Sequence, residues 1–410
     1  MRKIAKKFSK QCKAILTQAK IEYKKTGQVS TQTLESRKEA FDAITLACQK
    51  ALEGMDMGKV IEKQLEIEPD YMIGLEDFTI PVLMLCGMMD GVFDPKAQEV
   101  AEFQDLTKGI YQRQLSGEYG HKEKQKSATK FMVLHAYDYA SAYQAARNVK
   151  EVNPEGLAIS YGGPMKSRRF ITSLNFGEHT ENLGELLPEP YLISMALTLG
   201  VANGVNSDVP VHILGVGSPI LIALMSQQLR RSKAISIDST ATFKDAFEGR
   251  IYGSKYAFIK MKRYKLAAYS LINNVPYSST SPFFKEFEAK YPSNWPALRA
   301  ELGVTSSSHV KDVVEMIKDE NALVEKYIPF MSRFRGGNDV FIDHLRVARA
   351  GHNYWILHNI CRGVRSRIDD KAKLDKWAKY QVNRYQRISS GKWAKAIGKV
   401  VELVGKYEQY

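Results

Sequence analysis

An α/β fold is what this sequence predicts: a TIM-type (β/α)8 barrel, irregular in its early strands, with N- and C-terminal helical extensions. Three observations predict it. Short apolar runs ending in Gly, Asp or Pro alternate with helix-period stretches, the pattern of parallel strands joined by crossover helices. Several of those runs end in polar residues, as the functional edge of a barrel does. No G-x-G-x-x-G opens a helix after an apolar run, so the dinucleotide-binding alternative lacks its fingerprint.

Residues 1–66 read as an N-terminal helical segment. Ile4, Phe8, Cys12, Ile15 and Leu16 share one face with lysines opposite, and a second helix runs from Thr33 to Leu52. Residues 67–262 are expected to form the barrel core. Strands are read at Tyr71–Leu75, Pro81–Leu85, Gly109–Leu115, Phe131–Ala136, Leu157–Tyr161, Val211–Leu214, Ala234–Ile237 and Tyr256–Met261. Helices are read at Pro95–Asp105, after Asp138 through Val149, at Tyr191–Val201 and at Ile220–Arg230. Residues 263–410 turn helical and basic, with loops near Pro276, Pro282 and Pro292, a helix at Val310–Tyr327, and a basic break at Arg333–Gly337. Trp377, Tyr380, Tyr385 and Trp393 interleave there with Lys and Arg. That composition suits nucleic-acid contact by Arg362, Arg365, Arg367 and Arg387, while the tryptophans, on an amphipathic helix, suit a core better.

The 410 residues suffice for one barrel plus an appendage. The formal net charge is +14, which points to a polyanionic partner, lysine decoration for solubility being the alternative. No apolar run approaches the roughly 18–20 residues of a membrane span. The lysine-rich N-terminus lacks the apolar centre of a secretory signal. The expected location is therefore the cytoplasm, of the cell or of an infected host cell for a viral protein, with no membrane partner. The four cysteines, Cys12, Cys48, Cys86 and Cys361, form no C-x-x-C, so neither a disulfide framework nor a cysteine-rich zinc site is expected.

The chemistry is concentrated in Val211–Glu248, which reads as strand, glycine turn, helix, strand, acid. Asp238 directly follows an apolar run and precedes Ser239 and Thr240. Those hydroxyls can hold a carboxylate for nucleophilic attack, and the same triplet can instead cap the helix starting at Ala241. Gly215 and Gly217 leave backbone N–H groups free to face a phosphate or ribose. Lys166, Arg168 and Arg169, after the turn Tyr161-Gly162-Gly163-Pro164, are placed for phosphate contact.

The pair LGVGSP and ISIDST resembles the last two barrel strands of the tRNA-guanine transglycosylase superfamily, and the serine after the aspartate is closer to the branch that inserts 7-deazaguanines into DNA. The resemblance covers residues 131–250 and, more loosely, 70–105. It implies that Asp238 is the nucleophile. Glu76 and Asp77 in Ile73-Gly74-Leu75-Glu76-Asp77 look like the family's fourth-strand acid pair, which contacts the heterocycle. They are candidates for the second catalytic acid, with Asp90 and Asp94 as others. Gly162 and Gly163 resemble the glycine turn whose amides read the purine's carbonyl edge. His135 and Asp138 stand at a base-contacting position, where a core histidine is the alternative reading. The family's aspartate-serine-glycine-glycine motif is absent. So is its three-cysteine zinc cluster; His352, His358 and Cys361 lack ligand spacing, so no zinc and no cofactor are expected.

The implied activity is exchange of guanine in a polynucleotide for a 7-deazaguanine base such as preQ0 or preQ1, through a covalent aspartyl-glycosyl intermediate. The implied partners are DNA, with tRNA as the alternative, the free 7-deazaguanine base, and a second copy or another subunit. A different class remains as the alternative: a non-catalytic nucleic-acid-binding protein with a degenerate barrel. A third reading is an N-glycosidic hydrolase in which water replaces the incoming base.

Overall fold

The apolar runs assemble into one five-stranded parallel sheet: β1 (Tyr71–Ile73), β2 (Thr129–Leu134), β3 (Gly156–Ser160), β6 (Val211–Leu214) and β7 (Ile235–Ile237), paired in that order. Between them in sequence lies an antiparallel hairpin, β4 (Ser173–Phe176) with β5 (His179–Asn182), which has no counterpart in the sequence pattern. The computed structural model describes residues 1–93, 97–160, 173–176, 179–182, 190–205, 208–253, 259–275, 279–287, 294–328, 339–388, 397–399, 402–403 and 406. The chain divides into two compact units. One comprises Met1–Val216, Leu224–Asp238 and Ser390–Tyr410; the other comprises Gly217–Ala223 and Ser239–Ser389.

Spatial order equals chain order in the sheet. That order has no reversal of the kind that makes a doubly wound sheet. The result is a curled half-barrel sheet. Alternation sets its two faces. On one, Phe131, Val133 and Ala158 cluster with Ile73 and Leu214, and the Phe131 ring meets those of Tyr71 and His212 edge-on. On the other, Met72, Met132, Leu134, Leu157, Ile159 and Ile213 are at most 2% exposed, and Met72 packs against Ile61 and Ile110 of the helical layer.

Helices α1 (Arg2–Thr26), α2 (Thr31–Glu53) and α3 (Met57–Leu65) precede the sheet. Cys12, Ala19, Ile44 and Cys48 of α1 and α2 share a core with Leu83 of α4 (Thr79–Cys86). Then come α5 (Ala97–Ser116), the single-turn α6 (Lys122–Gln125), α7 (Tyr139–Asn148), α8 (Pro190–Val205) and α9 (Pro219–Gln228). Two expected strands are helix. Pro81–Leu85 lies inside α4, where Ile80, Val82, Leu83 and Met84 are all buried, so no one-sided period marks the helix. Pro81 sits in its first turn, where its missing N–H costs nothing. Gly109–Leu115 belongs to α5; Ile110, Tyr111 and Gln114 are buried at helical spacing.

In the second unit, β8 (Arg250–Gly253) pairs antiparallel with β9 (Ile259–Lys262), so the last expected strand forms a hairpin and adds nothing to the parallel sheet. The helices are α10 (Ala241–Phe247), α11 (Arg263–Ile272), α12 (Pro282–Phe287), α13 (Trp295–Glu301), α14 (Val310–Asp319), α15 (Asn321–Tyr327), α16 (Asp339–Arg365) and α17 (Lys371–Ile388). The expected helix Val310–Tyr327 is thus two, broken at Glu320. Buried Asn353 of α16 accepts the Tyr252 N–H at 2.9 Å and donates to the Thr242 and Arg250 carbonyls. Its neighbour His352 is buried and bonds the Tyr252 carbonyl at 2.8 Å. All four cysteines are free. Among the described residues no helix is long and apolar enough to cross a membrane.

Candidate active site at the carboxyl edge of the sheet

Parallel pairing puts all five carboxyl ends on one edge, the edge at which α/β sheets bind ligands. β7 delivers Asp238 there. Its carboxylate Oδ1 accepts the Gly215 N–H at 2.5 Å, across from the end of β6. Gly215 has φ +78°, and a Cβ there would meet open space, so glycine is needed for backbone conformation and not for room. Asp238 does not cap the following helix. Ser239 Oγ accepts the Ala241 N–H at 3.0 Å instead, and Thr240 occupies the cap position without a side-chain bond. The Asp238 side chain is 59% exposed. Of the two roles open in the sequence, the structure leaves the carboxylate available.

Sequence reasoning missed His212. It lies two residues before Leu214 on β6, so it shares Leu214's face of the sheet. Its Nδ1 is 2.8 Å from Ser236 Oγ and its Nε2 is 3.9 Å from Asp238 Oδ1. Burial pulls its pKa down, and the Asp238 charge acts in the opposite sense. A histidine facing an acid from the adjacent parallel strand is visible only once register is known: His212 pairs with Ser236, two residues before Asp238.

At the other end of the sheet, Glu76 follows β1 and His135 follows β2. Glu76 Oε2 is 3.6 Å from His135 Nε2 and has no hydrogen-bond partner. Burial, then the neighbouring Asp77 charge, raises the Glu76 pKa to about 7. Burial lowers that of His135 to about 4, the Asp77 backbone opposing. The pair is therefore a carboxyl that keeps its proton near neutrality beside an imidazole that stays uncharged. Thr107 Oγ1 lies 3.0 Å from His135 Nε2 and accepts the Asp77 N–H at 3.0 Å. Gln104 Oε1 accepts the His135 N–H at 2.7 Å.

The remaining acids have local duties. Asp77, 2% exposed, accepts the Thr79 N–H at 2.7 Å where α4 begins. Asp138 caps α7 in a reciprocal capping box with Ser141. Asp90 pairs with Lys20 at 3.3 Å and holds the Val92 N–H. Gly217 packs rather than binds: a Cβ there would lie inside contact distance of Ser239 Oγ and Ala241 Cβ. Gly162, Gly163, Lys166, Arg168, Arg169 and Asp94 lie outside the described residues. A cavity of about 410 Å³ opens between α5 and α7, bordered by Val100, Gln104, His135, Tyr137, Asp138 and Gln144. Its size is that of a small-molecule pocket.

Among the described residues no group of three or more His, Cys, Asp or Glu is arranged to hold a metal. No protein-family model and no curated protein matches this sequence.

Proposed function

We propose that the chain is a transglycosylase that exchanges guanine in a polynucleotide, DNA before tRNA, for a 7-deazaguanine base. The observation that carries this reading is Asp238: a carboxylate at the end of the last parallel strand, held by one backbone amide and not committed to its own helix. In this reading the five strands are the fourth to eighth of a barrel. Glu76 and Asp238 then stand on its two outer strands, which four spacings of about 4.8 Å would separate by roughly 19 Å in a flat sheet. In this reading the curl of the sheet would turn them toward one another across a shared lumen.

The steps balance on these groups. Gly215 N–H and His212 Nε2 both address Oδ1, leaving Oδ2 to attack C1′ from the face opposite the base. The C1′–N9 bond breaks, guanine leaves with its electron pair, and Glu76 supplies the proton it takes up. The incoming base attacks C1′ from the vacated face and gives its N9 proton to Glu76, and the ester C–O bond breaks to regenerate the carboxylate. Configuration is retained. An anion beside an oxocarbenium-like carbon and an acid with pKa near 7 are what the reaction needs.

Mass spectrometry of nucleosides from cells producing the protein tests the activity: a deazaguanine deoxynucleoside in DNA is expected, and its appearance only in tRNA moves the substrate to tRNA. A second reading, a nucleic-acid-binding protein without catalysis, draws on the exposure of Asp238 and on the local duties of Asp77 and Asp138. A covalent protein–polynucleotide adduct that forms with wild type and not with Asp238→Asn separates the two.

A further inference from the structure

The helices of the second unit present a face that the exchange chemistry does not use. In α17, Leu374, Ala378, Val382 and Tyr385 are buried at i, i+4, i+8 and i+11, and Lys373, Lys376, Lys379, Tyr380 and Asn383 are exposed on the opposite stripe. The helix carries six Lys or Arg against one carboxylate, Asp375. Arg362 and Arg365, in the last turns of α16, are exposed as well. Arg367 differs: it bonds the Gly363 carbonyl at 2.8 Å and lies over the Trp377 ring, so it serves the fold.

Charge alone fits a solvated helix. Tyr380 does not fit that account: the residue is 55% exposed amid lysines, with the Arg384 guanidinium 5.5 Å from its ring centroid. An aromatic face steadied by an arginine and flanked by ammonium groups matches what a nucleic-acid strand offers, phosphates for the cations and a base plane for the ring. The stripe from Lys373 to Asn383 spans about 15 Å at about 1.5 Å per residue, long enough for a short run of nucleotides.

We infer that the exposed face of α17 is a docking track for a single-stranded stretch of polynucleotide, with phosphates on Lys376 and Lys379 and one base stacked on Tyr380. This rests on the polynucleotide part of the proposed function and not on the chemistry at Asp238.

The test uses the full chain, a labelled oligonucleotide of about 20 residues as single strand and as duplex, and binding measured over a range of KCl concentrations. Lys376→Gln/Lys379→Gln is expected to reduce the slope of log K against log salt by about 1.4, at about 0.7 per released single-strand phosphate. Tyr380→Ala is expected to weaken single-strand binding about tenfold and duplex binding less than about twofold. Melting temperatures of the variants should match wild type. An unchanged salt slope overturns the inference, as does equal loss for both substrates. Competition by polyglutamate as effective as by DNA overturns it in favour of an acidic protein partner. The Asp238 adduct is scored in parallel: its absence from wild type removes the transglycosylase reading and leaves the binding result to stand or fall alone.

Discussion

Asp238 and Glu76 show how much a single position depends on its neighbours. Replacing Asp238 by Asn is expected to lower exchange by at least about 10³-fold, the scale of a lost nucleophile, while leaving the denaturation midpoint nearly unchanged because the side chain is exposed. His212→Ala is expected to slow exchange about 10- to 100-fold with the adduct still forming, since a displaced nucleophile costs rate without removing the reaction; single-turnover kinetics reads the two steps apart. Glu76 and His135 make opposite contributions to stability with pH. Glu76 titrates near 7 in the folded chain against an ordinary 4.5, so the folded state keeps a proton that the unfolded state releases, and stability falls as pH rises from 4.5 to 7. His135 titrates near 4 against an ordinary 6.5, so the unfolded state binds the extra proton, and stability is lost as pH falls from 6.5 to 4. The wild-type profile should be nearly flat where the windows overlap. Glu76→Gln should leave a rise from pH 4 to 6.5, and His135→Gln a decline from 4.5 to 7, each on the order of 3 kcal/mol. Denaturant midpoints across pH 4–8 check this; two flat variant profiles would remove the pair from the account.

At the scale of elements, small residues set how closely secondary structures meet. Gly200 and Gly204 of α8 face α7: an added Cβ would lie 2.8 Å from Ala142 Cβ and 2.7 Å from Ala146 Cβ. Gly204→Val is expected to destabilise by about 1–3 kcal/mol through overpacking. Gly217→Ala, crowded by Ser239 and Ala241, belongs to the same range, whereas Gly215→Ala meets only the backbone cost of φ +78°, about 1 kcal/mol. Urea denaturation of the three variants should rank them so. The GVGSP turn looks uniform in sequence, yet its two glycines are there for different reasons, and only contacts distinguish them. The misread strands Pro81–Leu85 and Gly109–Leu115 teach a related point. A helix apolar all round shows no period, and a short window cut from a long helix passes for a strand.

For the whole molecule, the parallel sheet was legible: β1, β2, β3, β6 and β7 lie where apolar runs end in Gly, Asp or Tyr, most plainly in β2 and β3, the two strands buried on both faces. The net charge of +14 likewise follows from composition and carries the expectation of salt-sensitive polyanion binding. What the chain order alone could not convey is which groups meet. His212 and Asp238 are 26 residues apart in sequence and face one another through strand register. Glu76 and His135 are 59 apart and meet where β1 and β2 end, each titrating as it does because the assembled fold buries it. Local pattern determined the elements of this protein, since periodicity and turn chemistry act within a few residues. The tertiary structure decided which acids are spent on caps and which stand free, because burial and hydrogen bonding are properties of the assembled surroundings and not of any one stretch of chain.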